Sequence, residues 1–315
     1  MDKRNKTRAM VESALITTIA VIFALASMYI PFISVLSALM PVPFIIIGVK
    51  NGLKYTVLSL VSATIIIGIF AGPLRVILIL ASSWLVSIAL AYMIRKRYSF
   101  KSIIFFGSVA SIVSLIISLA LMPMVVGVGL LDMIEQSFNS AMEMYTELFK
   151  QYGIDNEKSK QAMDSLKLTK DLILIVFPSA MVMASVITTY INYSVSGVIL
   201  RKIGFSIEKR NKFSHLKLPA NFMMGALIIV ILTYFANSFN IIKSDALNAN
   251  VIYLFQYVFI ILGLAVVSFF LEKRKIGNTL RRMILIFILF IPSLNLILFF
   301  MGILDSIFNI RKLGT

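Results

Sequence analysis

The chain is written as long apolar runs separated by short polar ones. Nine apolar blocks fall at roughly residues 11–30, 33–49, 53–72, 74–94, 102–126, 171–200, 220–239, 250–271 and 283–303. About 20 apolar residues in a helix cross the hydrocarbon of a bilayer, and most blocks have that length. The pattern predicts an all-α integral membrane protein of about nine transmembrane helices, or eight if the last block is re-entrant. The second block is the shortest and holds Pro41 and Pro43, which marks it as a bent or partly re-entrant helix. The last is interrupted by Pro292 and Asn295.

One long hydrophilic segment, 127–170, has a different rhythm. Leu131, Ile134, Phe138, Met142, Tyr145, Phe149 and Tyr152 recur every three or four positions, with Asp132, Glu135, Glu143 and Glu147 between them. Such spacing lays one apolar stripe along a helix. Gly153 ends that helix, and Asp155 or Asn156 caps a second one through about Leu168. The segment therefore reads as an amphipathic helical hairpin outside the cytoplasm. It either lies on the bilayer or the other spans as structure, or serves as a lid over an outward-facing pocket.

Charge sets the sidedness. With the N-terminus in the cytoplasm and nine alternating spans, the inner segments hold 21 of the 30 basic residues against four of the 14 acidic ones. This is the bias of a multi-pass protein in a bacterial cytoplasmic membrane with its basic loops inside. It accounts for the net charge of +16 without nucleic acid, because basic loops rest against anionic lipid headgroups. The first apolar block has no small-residue cleavage site and reads as retained helix. One misfit remains, since nine spans leave Arg311 and Lys312 outside, and a re-entrant last block would return them inside.

Composition agrees. The chain is 59% hydrophobic and only 14% charged, where soluble domains carry about 25%. It has no cysteine and one histidine, His215, in a basic polar segment. Thiolate chemistry, disulfides and a metal centre are not expected, nor is any cofactor. No Walker-type loop, HExxH or GxSxG motif appears, so neither ATP hydrolysis by that route nor enzymatic activity is expected. Proton-driven pumps keep acidic groups at mid-membrane depth. Here Glu12 and Glu272 sit at span ends, Asp171 and Asp305 flank spans, and the groups inside spans are the neutral Asn192, Gln256 and Asn295.

Small residues mark close helix packing. Ala20 and Ala24 lie four apart in the first span, near Ser13 and Thr17. Gly68 and Gly72 form GxxxG at the end of the third. Ala110, Ser114 and Ser118 make a ridge in the fifth. Gly72 and Pro73 then hold a tight outer turn that carries a lone cation, Arg75. That guanidinium snorkels to lipid phosphate, pairs with a hairpin carboxylate such as Glu135, or clamps an anionic group of a small-molecule substrate, for which Arg is well shaped.

Two resemblances follow. The tail MGILDSIFNIRKL, with Gly-x-Leu-Asp-Ser and Asn-x-Arg-Lys, and the opening TRAMVESALITTIAVIFALA resemble the YybS family of bacterial multi-pass membrane proteins. That likeness covers essentially the whole chain and implies architecture. Residues 1–200, six spans with a basic start and a first span carrying Ala20 and Ala24, are similar to the substrate-binding S-component of energy-coupling-factor vitamin transporters. That similarity implies docking of the alanine pair onto a transmembrane coupling protein, partner ATPases as the energy source, and a substrate bound near the outer face. The chain departs from that pattern in the 127–170 insert and in the three spans after residue 200. The expected organisation is a six-span bundle at 1–200 with the hairpin inserted, then a basic loop and C-terminal spans at 201–315. The alternative reading is a scaffold or sensor for envelope or signalling machinery.

Overall fold

Helices carry each of the nine apolar blocks in the computed structural model, which describes residues 3–30, 35–152, 156–207, 212–219, 221–238 and 244–313. In chain order the α-helices are α1 (Lys3–Tyr29), α2 (Pro41–Lys50), α3 (Leu53–Ala71), α4 (Pro73–Arg95), α5 (Phe100–Val126), α6 (Leu130–Gln151), α7 (Asn156–Lys202), α8 (Phe222–Ser238), α9 (Ser244–Lys273), α10 (Asn278–Leu289) and α11 (Pro292–Phe308). Short 3-10 turns occupy Val35–Leu39 and Phe213–His215. Six helices, α1, α3, α4, α5, α7 and α9, are long and apolar enough to cross a membrane. The pair α10 and α11 passes the same test together but is bent by 109°, and two shorter apolar helices lie at Ser37–Lys50 and Phe222–Phe235. The protein is a multi-pass, all-helical membrane protein.

The hairpin differs from its expected form in one respect. Its first helix is α6, on which Ile134, Phe138, Met142 and Phe149 of the stripe are half-buried while Leu131, Tyr145 and the following Tyr152 are exposed. Its second helix does not stop near Leu168 but continues as α7 for 47 residues. Nothing between Ser159 and Phe177 breaks a helix, because that stretch contains neither Gly nor Pro. Lys170 and Glu135 join the two helices at 3.6 Å. Gly153 and Asp155, the expected turn, lie outside the described residues.

The chain divides into two compact units, residues 1–171 with 184–208, and residues 172–183 with 209–315. In the first, α2 is the hub. Eight of its ten residues are buried, as befits a helix that is apolar on every side. Pro41 occupies the first helical position, where its missing N–H costs nothing. The carbonyls at the other end are met by side chains from elsewhere, for Arg95 donates to the Gly48 and Val49 oxygens at 3.2 and 3.1 Å. Asn51 then reaches the Ala9 carbonyl and Ser13 Oγ of α1 at 3.1 and 2.9 Å. Glu12 pairs with Lys50 at 2.9 Å. Three segments assigned to the inner face thus meet at one end of this unit.

The second unit rests on a repair. Pro178 lies inside α7 and has no N–H to continue the ladder. The next bond, from the Ser179 N–H to the Ile175 carbonyl, is opened by a side chain from α9. Asn250 Oδ1 accepts from the Ser179 N–H at 2.8 Å, while Asn250 Nδ2 donates to the Ile175 carbonyl at 2.7 Å. One carboxamide therefore replaces one backbone bond with two. Nearby, α9 and α11 run side by side in the same direction and touch backbone to backbone. A Cβ on Gly263 would collide with the Leu298 carbonyl, and one on Gly302 with the Phe259 carbonyl. Phe259 and Phe299 pack edge to face beside that crossing, centroids 5.9 Å apart.

Two predictions test these contacts. Asn250→Leu is expected to cost about 2 kcal/mol in detergent thermal unfolding, because it orphans a buried N–H and C=O. Combining it with Pro178→Ala, which lets the ladder close on itself, recovers about 1 kcal/mol or more of that loss in a double-mutant cycle. Gly302→Ala is expected to cost at least about 2 kcal/mol by overpacking. Gly225→Ala, in α8 with nothing within 4 Å of its added methyl, is neutral or gains up to about 1 kcal/mol.

Candidate functional site

The residues singled out by sequence fall into two groups. Ala20 and Ala24 are 0% and 2% exposed and belong to a core cluster with Phe44, Leu60, Ala63 and Ile67. Their small faces bring α1 close to α2 and α3 of the same chain. Gly68 faces Val76 at the start of α4, 3.4 Å from where a Cβ would sit. Gly72 has φ +88° and ends α3 as it starts α4. Arg75 is in the first turn of α4, and its side chain lies outside the described residues. Glu135, the carboxylate considered for it, is paired with Lys170.

A second polar feature of the first unit follows from α7. Ser185, Thr189, Asn192 and Ser196 recur at intervals of four, three and four, which is one helix face, and all four are 2% exposed or less. That face meets α5 directly. A Cβ on Gly107 would fall 2.6 Å from Thr189 Cγ2, and the Phe100 and Tyr193 rings pack 5.5 Å apart. The Asn192 amide is fixed from one side, donating to the Ala38 and Thr188 carbonyls at 2.9 Å each. Among the described residues its Oδ1 has no partner, and neither do Ser185 Oγ, Thr189 Oγ1, Ser196 Oγ, Ser108 Oγ, Ser114 Oγ or Trp84 Nε1. Elsewhere in these helices the usual device is a hydroxyl bonding back to the i−4 carbonyl, as Thr17, Thr64, Ser87 and Ser118 do. The unpartnered set is thus a local exception. It is neutral, and it offers both donors and acceptors.

Charge gathers instead at one end of the second unit. Glu272, at the end of α9, accepts from Lys212, Ser214 Oγ and Arg281. The backbone of the same loop is gripped from the tail. Arg311 is 4% exposed and donates to the Ser214 and Leu216 carbonyls at 2.7 Å each. It also donates to Asp305 Oδ2, from Nε at 3.1 Å and from Nη2 at 2.7 Å. Asp305, itself 7% exposed, further accepts from the Arg311 backbone N–H at 3.2 Å. All three guanidinium nitrogens are therefore used, and the buried charges neutralise each other. Arg281, in the first turn of α10, pairs with Glu272, while Arg311, after α11, reaches the loop at 212–216 that Glu272 also holds through Ser214. The bent pair leaves this cluster and returns to it. Arg311 accordingly sits against the 212–216 segment.

Of these groups, Asn192, Ser114, Glu272 and the tail signature with Asp305 and Arg311 stood out in the sequence. The 4-3-4 spacing on α7 was a readable signal for the rest of the stripe. A sequence model of one protein family, described as a predicted membrane protein (DUF2232), matches residues 18–306. The chain belongs to that family. As a DUF2232 member it is 25% identical over 315 residues to the "Uncharacterized protein YybS" of Bacillus subtilis (strain 168), a match covering 98% of each chain. No solved structure matches. The DUF2232 match takes in both the α7 face and the cluster residues Ser214, Glu272, Arg281 and Asp305.

The Asp305–Arg311 pair is expected to be a structural latch. Arg311→Ala strands a buried carboxylate and should cost about 3–5 kcal/mol. Arg311→Lys recovers little of that, because one ammonium cannot reach three separated acceptors. Thermal unfolding, with limited proteolysis at residues 212–219 as the local readout, checks both.

Proposed function

We propose that this protein is a small-molecule binding subunit of the S-component kind, embedded with its N-terminus in the cytoplasm and energised by partner proteins. It performs no chemistry of its own. The observation that carries this reading is the unpartnered polar face of α7 against α5. Buried hydroxyls and amide oxygens without partners are costly in an apolar interior, and a ligand that bonds to them returns that cost on binding. Their neutrality favours an uncharged, hydrogen-bonding molecule. The excess of basic residues in one set of loops supports the orientation. A coupling protein that docks through Ala20 and Ala24 would need α1 to part from α2 and α3, because the chain's own core fills that face. In this reading Arg75, at the turn between α3 and α4, meets an anionic substrate group only if the cargo carries one.

The test is native mass spectrometry on protein purified from its native membrane in mild detergent. A stoichiometric small-molecule adduct is expected, weakened at least about tenfold by Thr189→Val with Ser196→Ala. The same variant should unfold at an equal or higher temperature, since it removes unsatisfied buried groups. A protein without adduct but with a reproducible protein partner turns the assignment to a membrane scaffold.

A further inference from the structure

Beyond that reading, the first unit carries a second candidate site where α4 and α7 end. A cavity of about 250 Å³ opens between the α4–α5 loop and the segment after α7, lined by Ile94, Arg97, Tyr98, Ile103, Tyr193, Ser206 and Ile207. It is smaller than the roughly 300–1,000 Å³ clefts that hold drug-sized ligands, which suits a single headgroup. Its lining is divided. Ile94, Ile103 and Ile207 supply apolar surface, while Arg97, Tyr98 and Ser206 supply a cation and two hydroxyls. No hydrogen bond or ion pair occupies the Arg97 guanidinium among the described residues, whereas its neighbour Arg95 is committed to α2.

The backbone explains how Arg97 comes to stand there. The Tyr98 N–H bonds the Met93 carbonyl and the Arg97 N–H bonds the Ile94 carbonyl, which is the Schellman closure of a helix end. Its left-handed position is normally Gly, but here Arg97 takes it with φ +57°. Across the cavity α7 ends the same way, from Phe205 to Leu200 and from Gly204 to Arg201, with Gly204 at φ +89°. One wall thus uses Gly at the position where the other carries a strained arginine. The two helix C-termini oppose an anion by about half a charge each. They are outweighed by Arg97 with Lys96, Lys101, Arg201 and Lys202, and no acidic residue occurs at 95–107 or 197–207. The N-terminus of α5, whose first turn includes the lining residue Ile103, adds to the attraction.

We infer that this cavity binds the phosphate of an anionic lipid headgroup, with Arg97 as its principal ligand, Tyr98 and Ser206 as hydroxyl donors, and the isoleucines against the glycerol region. Arg97→Gly makes a clean test, because it removes the guanidinium while relaxing the backbone. The protein is placed in phosphatidylcholine nanodiscs containing phosphatidylglycerol, and lipid retained after mild delipidation is counted by native mass spectrometry. The wild type should retain phosphatidylglycerol over phosphatidylcholine, and Arg97→Gly should lower that preference about tenfold with an unchanged or higher unfolding temperature. Inorganic phosphate and glycerol 3-phosphate, added at millimolar concentration, should not displace the lipid. If they do, the site stands but its natural occupant is a soluble phosphate. Equal retention of phosphatidylglycerol by wild type and Arg97→Gly overturns the inference.

Discussion

A hydrocarbon solvent offers a backbone no hydrogen bonds, so every interruption of a helix must be closed by the chain itself. The rest of this structure follows from that constraint. Pro178 breaks the ladder of α7, and Asn250 from α9 closes it on both sides. The end of α2 leaves carbonyls exposed inside the first unit, and Arg95 reaches back from α4 to fill them. The loop at 212–216 is held by Arg311 from far along the chain. In each case a polar side chain is spent on backbone groups, and Arg311 does so while also paired with Asp305. This is why so few charged or amide residues suffice to order a chain that is 59% hydrophobic.

The same logic divides what the sequence could reveal from what it could not. Apolar block length and basic-loop bias depend on the solvent alone, so the helical membrane architecture was legible. The stripe on α6 was legible for the same reason, as was the turn at Gly72. The continuation of α7 past Leu168 was missed because polar residues at 156–170 suggested a separate helix, while no Gly or Pro interrupts the chain between Ser159 and Phe177. The Pro178–Asn250 repair was invisible because its partners are 72 positions apart and neither is unusual alone. Ala20 and Ala24 lie in the chain's own core, and their spacing carries no information about which helix comes close. The contact of Arg311 with the loop at 212–216 was not legible, because it depends on the 109° turn between α10 and α11, which hydropathy does not encode.

Polar groups are also sorted by kind. Most ion pairs lie where apolar stretches begin or end: Glu12 with Lys50, Glu272 with Lys212 and Arg281, Asp305 with Arg311. The neutral groups lie within helices, on α7 and α5. An ion inside the hydrocarbon needs full compensation, while a hydroxyl or amide costs less and can wait for a partner. A site built from neutral groups can therefore remain unfilled within a stable bundle. One built from charges would have to be closed by the protein, as Asp305 and Arg311 are.

That closure in turn dictates the path of the last two helices. Helices α9 and α11 run in the same direction, pressed together where Gly263 and Gly302 leave no side chain between the backbones. Two parallel neighbours in sequence cannot be joined by a short turn, so an intervening segment must travel back along the unit. Helix α10 is that segment. It has only 12 residues, and at about 1.5 Å per residue it covers roughly 18 Å, too little to cross alone. It therefore returns obliquely and ends where Pro292 can start α11 at its first position. Arg281 anchors the departure on Glu272, and Arg311 the return on the loop that Glu272 also binds. The bend is thus the geometric consequence of a parallel glycine crossing whose two ends share a single polar cluster.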